Sequence, residues 1–137
     1  MRLLFPAIGF AALFTMTADS PADEKPSARL YEMRIYYANP GKLDALNARF
    51  RNHTVKLFEK HGMENVGYWV PADAPASSNT LIYMLAHDSR DAATKSWAAF
   101  REDPEWLAVR DRSQVNGPLT TNVQSVFLES TDFSPMK

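Results

Sequence analysis

The hydrophobic pattern changes period several times along the chain, and each change marks an element. From Arg29 to Tyr37 the residues alternate: Tyr31, Met33, Ile35 and Tyr37 fall on one side, Leu30, Glu32, Arg34 and Tyr36 on the other. A period of two in a run rich in aromatic and β-branched residues predicts a strand. Asn39-Pro40-Gly41 ends it with turn chemistry. From Lys42 the period lengthens. At about 100° per residue, Leu43, Leu46, Phe50, Thr54, Leu57 and His61 share one helical face, with Arg49, Arg51 and Lys56 off its centre. Gly62 stands where a left-handed terminator belongs, and Lys60 and His61 suit the negative end of that helix.

Residues 65–70 (NVGYWV) predict a second strand, and residues 71–79, rich in Pro, Ala and Ser, a loop. Thr80 to His87 predicts a third strand that is apolar on both parities and therefore needs cover on both faces. Asp88 or Ser89 caps a second helix running to about Glu102, with Ala93, Trp97 and Phe100 on its inner face. Asp103-Pro104-Glu105 restarts a helix, with a capping acid, proline in the first turn and another acid near the positive end. That helix ends by Asn116-Gly117-Pro118, and residues 121–128 (TNVQSVFL) form the last strand. The order β, α, β, β, α, β predicts an α+β fold, the ferredoxin-like βαββαβ subunit with a four-stranded antiparallel sheet and helices on one face. Apolar residues on the second face then predict pairing with another copy, two sheets closing into a dimeric α+β barrel.

Residues 1–22 stand apart from this pattern. Arg2 is followed by an uncharged run from Leu3 to Ala18, interrupted by Pro6 and Gly9. The run is short for a membrane span and suits the core of an export signal, with Ser20 and Ala22 at −3 and −1 of a cut before Asp23. Residues 23–28 then read as a polar linker, 29–131 as one domain and 132–137 as a tail. A secreted or periplasmic address follows, with no membrane attachment after cleavage. The 137 residues carry 15 basic and 16 acidic side chains, a net charge of −1, which offers nothing to a nucleic-acid backbone. The absence of cysteine excludes disulfides, thiolate nucleophiles and Cys-based metal sites. An exported domain of this size without disulfides has reason to enlarge its core by dimerising.

Several strings, in order, resemble the NIPSNAP family: residues 31–36 (YEMRIY), Pro40-Gly41-Lys42, the helix with Phe50, His53, Leu57 and Glu59-Lys60-His61-Gly62, Val66-Gly67-Tyr68-Trp69, Asp103-Pro104-Glu105-Trp106, and Phe133-Ser134-Pro135. The resemblance implies the same ferredoxin-like subunit in a dimeric α+β barrel. It implies no particular reaction. By analogy of fold alone, the wider barrel superfamily includes cofactor-free monooxygenases and haem-degrading enzymes.

Candidate chemistry is sparse. His53 borders the apolar stripe of the first helix and is the best candidate for a base, a haem ligand or a substrate-orienting donor. His87, at the end of the third strand, suits the mouth of a pocket, and His61 suits a helix terminus. His53 and His61, roughly 12 Å apart along a helix, cannot share one ion, so no protein metal site is expected; haem, needing a single axial ligand, stays open as the one cofactor. Glu32, Arg34 and Tyr36 share one sheet face, where they are either a charge cluster fixing dimer register or an anion-binding set. If the apolar parity of that strand faces the helices, this set points into the barrel. Trp69 and Trp97 offer aromatic walls, more simply read as core. The expected role is binding of a small hydrophobic or aromatic ligand by His53, Arg34, Tyr36, Glu32, Trp69, Trp97 and His87. The alternatives are a cofactor-free or haem-associated monooxygenase and a non-catalytic interaction scaffold. A pocket touching His53 separates the first two from the third.

Overall fold

The computed structural model describes residues 28–137, so the expected export signal and nearly all of the linker lie outside the described residues. Strands β1 (Leu30–Ala38), β2 (Glu64–Trp69), β3 (Thr80–His87) and β4 (Thr120–Glu129) form one sheet in the order β2-β3-β1-β4. Every neighbouring pair is antiparallel. Between β1 and β2 lie α1 (Leu43–Arg49) and α2 (Val55–Lys60), joined without a break by a π-helical turn, Phe50–Thr54. Between β3 and β4 lie α3 (Arg90–Glu102) and α4 (Pro104–Ser113). This is the ferredoxin-like split βαβ arrangement, α+β with a four-stranded antiparallel sheet, as the element order predicts.

The local signals act where the sequence places them. Ser89 caps α3 by accepting a hydrogen bond from Ala92 N–H at 3.0 Å. Asp103 caps α4, accepting from Glu105 N–H at 2.7 Å, with Pro104 in the first turn. Gly62 adopts φ +76°, the left-handed conformation that ends α2. The buried Asp103 also ties the two helical layers: Lys60 Nζ lies 2.7 Å and His61 Nε2 2.6 Å from its Oδ2. Those two partners hold the Asp103 carboxyl well below its usual range. His61 thus serves as a tie between helices.

The first helix departs from its expected course at the π turn. One extra residue in that turn rotates everything after it by about 100°, so the straight six-residue stripe does not persist. Phe58, which a uniform projection leaves off the stripe, is turned into the core at 1% exposure, and Arg49 is buried as well. Phe58 stacks on Tyr83 and meets Phe50, Trp97 and Phe100 edge-on or tilted, with ring centroids 5.0–6.1 Å apart. With Leu46, Leu57, Met63, Leu81 and Leu85 these rings form the core between helices and sheet.

The sheet faces are reversed relative to the conditional reading of β1. The register pairs Glu32 with Leu85, Arg34 with Tyr83 and Tyr36 with Leu81. The β3 side chains of that set are buried under the helices, and Tyr36 packs on Phe50. Glu32, Arg34 and Tyr36 therefore face the helices. Tyr31, Met33 and Ile35 share the open face with Ile82, Met84 and Val126. The reversal follows from β3: its bulkier parity, Leu81, Tyr83 and Leu85, claims the helix layer, and strand pairing carries the β1 polar set along.

At one end of the open face the C-terminal segment folds back. Tyr31 Oη donates to the Lys137 main-chain oxygen at 2.7 Å, and Met136 lies by Met84 and Leu128. Trp69 covers another part, its ring 2.6 Å from where a Cβ on Gly67 would sit, so only glycine admits it in this pose. Among the described residues no helix is long and apolar enough to cross a membrane.

Phe58 joins both helical layers to the sheet, so Phe58→Ala should cost about 3–5 kcal/mol in urea denaturation. Val115→Ala, at a side chain 80% exposed, should change stability by less than about 0.5 kcal/mol.

Candidate functional site

Two kinds of feature lie around the helix–sheet layer: a sealed polar cluster, and two clefts flanking the π turn. The cluster centres on Glu32, 1% exposed. Its Oε1 accepts from Arg34 Nη1 and Ser125 Oγ, both at 2.8 Å. Its Oε2 accepts from Trp97 Nε1 at 2.7 Å and His87 Nε2 at 2.9 Å. The carboxylate can only accept, so His87 carries a proton on Nε2; its buried Nδ1 has no partner among the described residues. Burial pushes the Glu32 carboxyl up, but the His87, Trp97, Arg34 and Ser125 hydrogen bonds outweigh it and bring it down to about 2. Glu32 is ionised at neutral pH.

Arg34 lies with its guanidinium 4.3 Å from the Trp97 ring centre and 5.7 Å from that of Tyr36. Burial opposes its charge; Tyr83, Tyr36 and Glu32 more than offset that, and Arg34 is held above its ordinary value. Next to it Tyr83 Oη donates to Tyr36 Oη at 3.2 Å. Burial pushes the Tyr83 phenol far up, so it remains protonated. The cluster thus joins β1, β3, β4 and α3 through hydrogen bonds that leave Glu32 no free direction. Chemically it is a satisfied structural lock.

The two clefts differ in character. On the sheet side of the π turn, Phe50 and Val55 face Tyr68, Trp69 and Leu81 across a cleft of about 320 Å³, with Arg51 at its edge. On the α4 side, His53 and Asn52 face Val109, Arg112 and Ser113 across a groove of about 310 Å³ floored by Arg49 and two small residues, Ala45 and Ala48. Both sit at the small end of the range typical of small-molecule sites. The π turn explains their placement, because its wider coil turns consecutive residues, Arg51 and Asn52, to opposite sides; such turns are frequent at functional sites.

The expected ligand-binding residues are therefore not gathered in one place. Glu32, Arg34, Trp97 and His87 meet in the cluster, with Tyr36 beside it. Trp69 borders the aromatic cleft, and His53 lines the groove. Sequence reasoning did not single out Ser125, Tyr83 or Arg49. Ser125 lies opposite Arg34 in the β1–β4 register, a pairing that only the assembled sheet reveals. Arg49 gave a misleading signal, since a straight helix places it off the buried face.

The NIPSNAP family model matches residues 31–135 of the chain. No curated protein matches it. Among solved structures, a NIPSNAP family protein of unknown function from Agrobacterium tumefaciens superposes with a TM-score of 0.70 at 22% identity, over 81% of this chain and 96% of that one. A second NIPSNAP protein of the same organism gives 0.69 at 27% identity, over 80% and 99%. SnoaB, a cofactor-independent oxygenase from Streptomyces nogalater, shares the fold at a TM-score of 0.53 and 11% identity, over 79% and 98%.

The cluster makes a pH-dependent prediction. A carboxyl held at about 2 against an ordinary value of 4.5 contributes stability that is complete above about pH 4.5 and is lost as pH falls toward 2. Glu32→Gln should remove that part of the acid-unfolding profile. At neutral pH it should cost about 3–5 kcal/mol, because Arg34 is left buried without its counterion. Chemical denaturation between pH 2 and 7 checks both.

Proposed function

Because the chain belongs to the NIPSNAP family, we propose that it acts as an exported homodimeric α+β barrel that binds a small apolar or aromatic molecule. The observation that carries this reading is the aromatic cleft between the π turn and the β2–β3 edge. Phe50, Tyr68 and Leu81 supply apolar walls and the half-exposed Trp69 a movable rim, while Arg51 stays at the edge. Burial of an aromatic body against such walls gives roughly 25 cal/mol per Å² of apolar area. Dimerisation is supported by the open face. Met33, Ile35, Ile82 and Met84 are only half-covered and Val126 is 45% exposed, a contiguous apolar strip across three strands. Export is supported by the charge-free run after Arg2.

The oxygenase alternative draws on the fold shared with SnoaB alone. In its haem-associated form His53 is the axial-ligand candidate, and haem added to the protein should then give a Soret band that His53→Ala abolishes.

The test uses the full chain recovered after export and the neutral fluorescent probe N-phenyl-1-naphthylamine. Native mass spectrometry should show a dimer, and Val126→Glu should give a monomer. Probe fluorescence should rise on binding, and Val55→Trp, which fills the cleft, should weaken binding at least tenfold while leaving the dimer intact. A monomeric wild type removes the barrel. Probe binding that Val55→Trp leaves unchanged removes the cleft.

A further inference from the structure

Two carboxylates and one guanidinium are less than a tenth exposed among the described residues: Glu32, Asp103 and Arg49. Each carboxylate has a cation at hydrogen-bond distance, Arg34 at 2.8 Å for Glu32 and Lys60 at 2.7 Å for Asp103. Arg49 has no ion pair among the described residues. Its Nη1 reaches Ser113 Oγ at 3.3 Å, its guanidinium lies 5.2 Å from the Trp106 ring centre, and its Nε is buried without a partner. Arginine cannot escape this position by losing its proton, and an uncompensated buried charge is costly. Burial accordingly pulls its pKa below the ordinary arginine value.

Arg49 is also the floor of the groove between α1 and α4. The rest of the lining repeats its character: Arg112 and His53 are basic, Asn52 and Ser113 are neutral hydrogen-bonding groups, and no acidic side chain is present. Ala45, Ala48 and Val109 leave room for a flat apolar body beside the guanidinium.

We propose that this groove is a binding site for a small organic acid, whose carboxylate is held by Arg49 with Arg112, Asn52 and Ser113 around it. The guanidinium fork matches the two oxygens of a carboxylate, and the low-dielectric floor strengthens the pairing. Volume limits the ligand to a few fused or substituted atoms around one ring, as about 310 Å³ is small even for a drug-sized molecule. The site is independent of the aromatic cleft, which lies on the other side of the π turn.

A site residue and a structural residue make opposite predictions here. If Arg49 is kept for a ligand, Arg49→Met removes an uncompensated buried charge, so the unliganded protein should melt no lower than wild type. If Arg49 is structural, the same change lowers the melting temperature. The probes are benzoate and inorganic phosphate, titrated into the full chain by calorimetry and thermal melting. Benzoate should bind and raise the wild-type melting temperature. Arg49→Met should weaken benzoate at least tenfold, and the exposed Arg112→Gln severalfold. Failure of benzoate to bind, binding unchanged in Arg49→Met, or a lowered melting temperature for unliganded Arg49→Met overturns the proposal. Phosphate binding tighter than benzoate overturns the organic-acid assignment. Should Arg49→Met not fold, Arg112→Gln decides: unchanged benzoate affinity rejects the site. Loss of N-phenyl-1-naphthylamine binding in Val55→Trp with benzoate binding retained keeps the two sites distinct.

Discussion

The fold depends on one carboxylate. Glu32 lies beneath α3 in the interior, where an isolated negative charge costs several kcal/mol, and it is tolerated because four donors converge on it. Those donors come from four elements: Arg34 from β1, His87 from the end of β3, Ser125 from β4 and Trp97 from α3. A slip of one residue between β1 and either neighbour moves the donors to the wrong face of the sheet. A rotation of α3 removes the indole. The arrangement therefore specifies register and helix seating more than it adds net stability, since an apolar replacement of a whole buried ion pair is often neutral.

Around this lock the core is built from rings. Tyr36, Phe50, Phe58, Tyr83, Trp97 and Phe100 form a continuous chain of edge-on, tilted and stacked contacts from β1 to α3. Such contacts require each ring to arrive at a set angle. The π turn in the first helical stretch supplies one of these angles, since it brings Phe50 and Phe58, eight positions apart, onto the same face of Tyr83. The same turn opens a cleft on either side of itself. Packing demand and binding capacity thus share one cause.

Elements were legible because their signals are local. The alternation of residues 29–37, the Ser89 cap, the Asp103-Pro104-Glu105 restart and Gly62 each act through neighbouring residues, and each element lies within about one or two residues of its expected place. What the sequence hid is relational. Both parities of β1 contain large apolar residues, so only the pairing with Leu81, Tyr83 and Leu85 decides which side meets the helices. The π turn has no composition of its own, and without it Phe58 and Arg49 project to the wrong side. Glu32, Arg34, Trp97 and His87 were each visible as candidates. Their convergence was not, because it rests on contacts spanning 55 and 65 positions in the cases of His87 and Trp97.

The distribution of buried charge bears on whether the domain is only a scaffold. A scaffold has no use for an ionised side chain held out of water without a counterion, and the other two buried charges of this protein are matched with close geometry. Arg49 is the exception, and it stands at the floor of a groove rather than inside the packed core. Stability alone favours methionine or leucine at such a position, beside Trp106 and Val109. An interior that balances Glu32 and Asp103 so closely but leaves Arg49 open carries a local cost without a structural return. Sites that break the rule followed by the rest of a fold are where binding is to be sought. On that ground the groove at His53 and Arg49 argues against a purely structural role.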